Sequence, residues 1–174
     1  MNRASTILAL LLGLLACAPA ANAAPVVRQV LATDAELEPG EYLWNPELAR
    51  TGPIAIVVDV AAERLYVYRG GVEIGRTLIL YGDDDKPTPL GEFTVLQKDR
   101  DHISNLYDAP MPYMLRLTWG GISIHGSGEV VDGRYATHGC VGLPDEFAAL
   151  LFAAVPKGTP VTVTRHWLRD VYGR

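Results

Sequence analysis

Cys140 lies in the stretch THGC, residues 137–140, and is one of two cysteines in a chain of 174 residues. A thiol attacks as its thiolate, and because a free cysteine has a pKa of about 8.5, it needs a base or a positive environment near neutral pH. His138 lies two residues before the cysteine, and His125 ends the apolar run GISIH. A thiol with one of these histidines as its base predicts nucleophilic catalysis through a covalent intermediate.

A glycine follows each histidine, at Gly126 and Gly139, and allows the backbone to approach a ligand closely. A bend at residues 137–140 would direct successive N–H groups at one point, as the stabilisation of a tetrahedral oxyanion requires. The alternative is a catalytic zinc site, for which His125, His138 and Cys140 would suffice as ligands. No fourth residue stands at a recognisable ligand spacing, so the sequence favours thiol chemistry without metal or cofactor.

The first residues are typical of a secretory signal peptide, with Arg3, an apolar run at 7–16 and small residues before a cleavage site after Ala23. The stretch LLAC offers a competing interpretation, a lipoprotein signal with a lipidated Cys17. We therefore expect export to the periplasm or the cell envelope. Because exported proteins usually pair their cysteines, an unpaired Cys140 indicates a reactive thiol, an intermolecular bridge or a small buried side chain.

The formal net charge is −5, without clusters of Lys and Arg. This balance argues against a nucleic-acid partner. The chain beyond a signal peptide has the length of one ordinary domain. We expect a monomer.

Short β-rich runs separated by turn residues follow from Pro53 onward. Gly70 and Gly71 join two of these runs as a hairpin. A helix is predicted directly behind the cysteine, because Pro144 suits a helix start and apolar residues follow at helical spacing. The predicted fold is mostly β, with about eight short strands and one main helix. The β-rich runs span 54–60, 64–69, 72–80, 91–98, 113–119, 121–126 and 160–165.

Four domain parts are expected: a signal peptide at 1–23, an N-terminal extension at 24–52 that packs on the domain, a catalytic domain at 53–165 and a tail at 166–174. Outside the motifs, His102 is expected to be a polar surface residue. The tryptophans are expected to pack in the interior.

The chain resembles the L,D-transpeptidase catalytic domain family, the YkuD-type cysteine enzymes of bacterial cell walls, over about residues 53–165. Four pieces carry the resemblance in the family's order: IAIVVDVAAERLYVYRGGVEIG, YGDDDKPTPLGEFTV, MPYMLRLTWGGISIHG and THGCVGLP. The resemblance implies a sandwich of mixed β-sheets with a helix against the active-site loop, and no cofactor.

The resemblance also implies roles for individual residues. Cys140 matches the nucleophile and His125 the base, which a backbone carbonyl at Gly126 or Ser127 would orient. This is the arrangement of nucleophile, base and orienting group found in catalytic triads.

The segment His138–Cys140, including Gly139, matches the part of the family whose N–H groups form the oxyanion hole. Thr137, together with Gly126, would shape the pocket. Tyr113 is a further candidate, as a hydroxyl that faces the substrate.

The family's reaction is an acyl transfer between peptidoglycan stem peptides. The resemblance implies a tetrapeptide donor and, as acceptor, the side-chain amine of a diamino acid, which gives 3→3 cross-links. An outer-membrane lipoprotein is another acceptor in the family. Water as acceptor would make the chain an L,D-carboxypeptidase, which is the alternative function.

Two features depart from the family. Eleven residues separate His125 from Thr137, fewer than is usual, which predicts a more open cleft. Gly142 stands where the family commonly has an arginine. Arg134 could substitute for that arginine, the activity could be altered or weakened to that of a wall-binding module, or the loss could be tolerated.

Overall fold

The computed structural model of the chain describes residues 24–32, 36–105, 107–128 and 137–172. The predicted signal peptide at 1–23 and Arg134 lie outside the described residues. The described strands are β1 (Tyr42–Trp44), β2 (Ile54–Asp59), β3 (Arg64–Arg69), β4 (Val72–Leu78), β5 (Gly91–Thr94), β6 (Gln97–Ile103), β7 (Pro110–Arg116), β8 (Ser123–Gly126), β9 (Val141–Leu143) and β10 (Pro160–Thr164). The helices are a short 3-10 turn (Pro46–Leu48), α1 (Asp145–Ala154) and α2 (Trp167–Tyr172).

The strands form two mixed sheets. A six-stranded sheet has the order β1-β4-β3-β2-β10-β5, and only its β2–β10 pair is parallel among the described pairings. A four-stranded sheet has the order β6-β7-β8-β9, with β8 and β9 parallel. The mostly β fold with mixed sheets and one main helix is therefore confirmed.

One hydrophobic core joins the two sheets and α1. The helix contributes Phe147 and Leu151, which are almost fully buried against apolar side chains of β2, β3, β7 and β8. Such burial contributes about 1.5–3 kcal/mol for each large apolar side chain. Lys98 of β6 closes the end of α1, because its ammonium group donates to the carbonyl oxygens of Phe152 and Val155 at 2.6 Å each. The core thus holds α1 directly behind the four-stranded sheet.

The segments on either side of the catalytic domain also pack on it. In β1, the rings of Tyr42 and Trp44 lie 5.6 Å from that of Phe147. At the other end, Trp167 of α2 packs on Tyr68 and donates to its hydroxyl at 2.9 Å. The C-terminal residues described here are thus a packed helix, where the sequence suggested only a tail.

The structure adds strands that the sequence did not predict. The expected strand 91–98 divides into β5 and β6, and β6 continues through QKDRDHI to Ile103. This segment has no apolar alternation because it forms an edge of its sheet. No described helix is long and apolar enough to cross a membrane.

Candidate active site

The cysteine loop, residues 137–140, is a tight bend that leads into β9. The Thr137 hydroxyl donates to the Cys140 carbonyl oxygen at 2.6 Å and accepts from the Gly139 amide at 3.2 Å. Gly139 has a φ of +101°, and a Cβ at this position would lie 2.9 Å from Cδ1 of Ile122. Both the backbone angle and the close approach require glycine. Thr137 therefore braces the bend that presents the thiol.

The segment at residues 80–82, which follows β4, packs against the cysteine loop and the start of β9. Leu80 and Gly142 exchange two backbone hydrogen bonds of 2.9 Å. Gly82 lies so close to the loop that a Cβ there would be 2.8 Å from the Gly139 Cα atom. The loop that begins at Gly82 and continues through the three aspartates at 83–85 is thus in close contact with the cysteine loop.

The Cys140 thiol is half-buried, and its sulfur lies 3.6 Å from the carbonyl oxygen of Gly121. Burial raises the pKa of the thiol above its ordinary value, whereas the Ser123 backbone N–H and the positive charge of Arg116 act in the opposite direction. The raised pKa and the contact with a carbonyl oxygen indicate a protonated thiol at rest. Attack therefore needs a base.

His125 of β8 is buried, and its Nδ1 atom lies 2.7 Å from the Gly126 carbonyl oxygen. Because a carbonyl only accepts hydrogen bonds, Nδ1 carries the proton and Nε2 keeps its lone pair. Burial lowers the pKa of His125 below its ordinary value, although the Gly126 carbonyl and the charge of Asp145 raise it. The imidazole is thus a neutral base with a fixed tautomer.

The parallel pair β8–β9 places His125 next to the strand that follows Cys140. His125 lies opposite Gly142, two residues beyond the cysteine. A neutral thiol and a neutral imidazole that meet at a substrate carbonyl can perform general-base-assisted thiol addition.

The amides of the cysteine loop differ in what they can bind. The Gly139 amide is used internally by the Thr137 hydroxyl. The amides of His138 and Cys140 donate to no acceptor in the described parts of the chain. Of the three N–H groups expected in the oxyanion hole, these two are available.

A cleft of about 380 Å³ opens in front of Cys140. The exposed His138 ring stacks on Tyr107 at a centroid distance of 4.3 Å and an interplanar angle of 17°. His102, expected on the surface, also lines the cleft, as does Trp119, whose side chain is 75% exposed where interior packing was expected. No group of three or more His, Cys, Asp or Glu residues within the described ranges is arranged to hold a metal ion.

Of the two substrate-binding candidates, the structure places one, Tyr113, outside the cleft. Tyr113 packs edge-on against Phe152 of α1 at 6.0 Å, and Arg100 lies 5.7 Å above its ring. Tyr113 thus belongs to the helix side of the sheet and does not line the cleft. Tyr113 lies two residues before the core residue Leu115, so both side chains face the helix side of the sheet. Arg134 falls in a stretch outside the described residues.

Gly142 occupies a position without room for a side chain. A Cβ there would overlap the Ser127 hydroxyl and would lie 3.0 Å from the Ser127 Cβ and 3.2 Å from the Leu80 Cβ. The Ser127 hydroxyl lies 3.4 Å from Nδ1 of His125. Ser127 therefore fills the space beside the imidazole that the missing side chain leaves.

Asp145 is a site residue that sequence analysis missed. Its Oδ1 atom accepts from the Gly128 amide at 3.0 Å and occupies the space that a Cβ at Gly126 would need. Its charge also raises the pKa of His125. The proximity of Asp145 to His125 depends on tertiary packing, so no sequence pattern marks it. Asp145 thus links the start of α1 to the loop that orients the base.

Asp145→Asn is expected to move the acid limb of the pH–acylation profile to lower pH. Without the carboxylate charge the pKa of His125 falls further, so the neutral imidazole persists at more acidic pH. As a weaker base it should lower the plateau rate about 2- to 10-fold, less than the 10²–10⁴-fold contribution of a whole general base. Glu146→Gln, one residue along α1, is the matched control. An unmoved acid limb in Asp145→Asn would contradict this role.

The fold and the site together define a class: β-rich domains with a free cysteine directly before one strand and a buried histidine, bound by a backbone carbonyl, on the neighbouring strand. The sequence pattern of the YkuD family, described as the L,D-transpeptidase catalytic domain, matches residues 53–163. The chain belongs to this family.

Curated relatives are L,D-transpeptidases. L,D-transpeptidase 1 of Mycobacterium tuberculosis is 31% identical over 123 residues, which cover 62% of this chain and 49% of the relative. The probable L,D-transpeptidase 3 of the same species is 26% identical over 148 residues, covering 66% and 55% of the two chains. This chain spans about half the length of the curated relatives that it matches.

Solved structures of the family are similar. An L,D-transpeptidase from Mycobacterium smegmatis superposes with a TM-score of 0.59 at 25% identity, covering 64% of this chain and 58% of the other. A mutant L,D-transpeptidase from Enterococcus faecium gives 0.58 at 31% identity, covering 65% and 50%. A further L,D-transpeptidase, solved in complex with imipenem, gives 0.59 at 25% identity, covering 64% and 58%.

Proposed function

We propose that this chain is a peptidoglycan L,D-transpeptidase with Cys140 as nucleophile and His125 as base. The observation that carries the proposal is the pairing of β8 with β9, which sets His125 beside the strand that directly follows Cys140, while the Gly126 carbonyl fixes the tautomer of the imidazole. A thiol of raised pKa requires such a base.

The first half-reaction forms a thioester. Nε2 of His125 takes the thiol proton while the sulfur attacks the carbonyl carbon of the donor's third residue. The carbonyl electron pair moves to oxygen, where the amides of His138 and Cys140 can stabilise it. When the intermediate collapses, the C–N bond to the terminal D-Ala breaks and the leaving amine takes the proton from His125.

The second half-reaction regenerates the thiol. An acceptor amine attacks the thioester carbon and gives up a proton to His125. The new C–N bond forms, the C–S bond breaks, and the sulfur recovers its proton from the imidazole. The same histidine thus acts as base and acid in each half-reaction.

The proposed substrates are stem peptides of peptidoglycan. A tetrapeptide is the donor, and a diamino-acid side chain of a second stem is the acceptor, which gives a 3→3 cross-link. A lysine of an outer-membrane lipoprotein is a second proposed acceptor. Family membership supports the stem peptide as the kind of substrate, and the family structure solved in complex with imipenem supports imipenem as a probe.

We also propose that the chain acts as a monomer outside the cytoplasm, in the periplasm or cell envelope. The support is the signal-like sequence at 1–23. Cys140 is the free cysteine of the described residues, as a thiol catalyst requires even in an oxidising compartment.

The test is incubation of the purified chain with a tetrapeptide donor and a diamino-acid acceptor, with products and intact protein analysed by mass spectrometry. We expect an acyl-enzyme, 3→3 dimers and, in a parallel sample, a covalent imipenem adduct. Tripeptides without dimers would identify a hydrolase instead. Absence of every adduct and product would contradict thiol acyl transfer altogether.

A further inference from the structure

Arg116 forms part of the wall of the catalytic cleft. It ends β7 and pairs with Ser123 of β8, while Leu115 before it pairs with Ile124 in the core. Because neighbouring residues in a strand face opposite sides, Arg116 points away from the core. It lines the same cleft as Cys140. The strand register therefore places a guanidinium group on the catalytic side of the sheet.

The guanidinium of Arg116 is hydrogen-bonded through its Nε atom to a neighbouring strand. Gln97 lies directly opposite on β6, and its Oε1 atom accepts from Arg116 Nε at 3.1 Å. This bond leaves the two terminal NH₂ groups without an acidic partner among the described residues. A guanidinium anchored through Nε presents these two groups as a fork suited to a carboxylate.

The charge of the cleft favours an anion. Of the described residues that line it, Arg116 has a permanent positive charge and none is acidic, although the whole chain has a net charge of −5. A half-buried charge without a counterion is costly unless a ligand pairs with it. The positive cleft thus contrasts with the overall charge of the chain.

We propose that Arg116 is a specificity-determining residue that binds a carboxylate of the donor peptide beside Cys140. The inference rests on the proposed function, since that function supplies the donor. Two donor carboxylates have the required chemistry: the C-terminal carboxylate of the fourth residue, and the second carboxylate of a diamino acid such as diaminopimelate. The proposed positive charge is thus on β7, whereas Arg134, the candidate that the sequence offered, lies outside the described residues.

The test measures acylation kcat/KM for three donors. One tetrapeptide carries both carboxylates, the second has its C-terminus amidated, and the third has lysine in place of diaminopimelate. Arg116→Gln should lower kcat/KM for the donor with both carboxylates about 10- to 100-fold, as expected for a lost charge-assisted pair. It should change kcat/KM less than 3-fold for the donor that lacks the recognised carboxylate. Which donor becomes insensitive identifies the carboxylate.

Controls separate binding from other effects. Arg116→Lys, which keeps the charge but loses the fork, should retain part of the preference. Arg100→Gln, on the helix side of the sheet, should leave the preference unchanged. Iodoacetamide is neutral and has no carboxylate, so its rate of Cys140 alkylation in each variant reports thiolate formation alone. Circular dichroism melts confirm that each variant folds.

An equal loss of kcat/KM for all three donors, matched by slower alkylation, would overturn the inference: Arg116 would then act only on the charge of the thiol. An active wild-type chain that does not discriminate among the donors would overturn it as well, and would leave the proposed function intact. A wild-type chain that forms no acyl-enzyme with any donor would overturn both.

Discussion

Cys140→Ala is expected to abolish covalent adducts with imipenem and with the tetrapeptide donor, and to lower cross-linking by at least about 10³-fold. Removing a nucleophile eliminates the thioester route, and the other site groups then retain only their weak contribution to the uncatalysed reaction. The fold should persist, because the side chain is half-buried and its hydrogen bond to the Gly121 carbonyl is long, at 3.6 Å. Intact-mass spectrometry measures the adduct, and melting curves measure the fold.

The second cysteine of the chain provides the matched control. Cys17→Ala changes the same residue type outside the described residues and should leave the adduct unchanged. Peptide mapping of the wild-type adduct should place the added mass on Cys140. An adduct that persists in Cys140→Ala would show that another nucleophile reacts, and the proposed mechanism would be lost.

The residue types at the site could be predicted from the sequence, because Cys140 and His125 stand in short, distinctive motifs. The family resemblance implied an orienting carbonyl at Gly126 or Ser127, and in the structure His125 Nδ1 lies 2.7 Å from the Gly126 oxygen. Likewise, the helix behind the cysteine shows its apolar spacing directly, and α1 begins at Asp145. These features are local, so the sequence contains them.

Features that depend on strand register could not be predicted. Arg116 resembles any polar residue of an alternating strand until β7 pairs with β6 and β8. Asp145 resembles a helix-start residue until α1 packs on the loop after His125. Tyr113 was a substrate candidate only through the family resemblance, and its packing on Phe152 of α1 places it on the helix side. Position in a sheet, rather than residue type, decides these roles.

Gly142→Arg is expected to lower the free energy of unfolding, although the family resemblance implies that arginine is common at this position. The new side chain would displace Ser127, and the strand cannot retreat because Gly142 is hydrogen-bonded to Leu80 on one side and paired with His125 on the other. Overpacking of this kind typically costs about 1–3 kcal/mol in the free energy of unfolding. A displaced imidazole should also slow acylation by up to about 10²-fold.

A double-mutant cycle tests whether Ser127 is the cause. Ser127→Gly removes the side chain that a residue at 142 would meet, so the double variant with Gly142→Arg should be more stable than the two single effects predict. Gly120→Arg is the stability control, because the nearest atom to its Cβ, Thr118 Oγ1, is 3.7 Å away. Urea unfolding and imipenem acylation rates measure the four corners of the cycle.

The effects of Gly142→Arg on acylation and on stability distinguish two explanations for the glycine at position 142. If Gly142→Arg accelerated acylation at unchanged stability, the absence of the arginine would be shown to reduce activity. That result would support the interpretation of this chain as a weakened, wall-binding module. If the arginine is tolerated only together with Ser127→Gly, positions 127 and 142 form one packing unit beside the base. Glycine then accompanies serine in this chain because only one of the two positions has room for a side chain, and Ser127 is the one that lies next to His125.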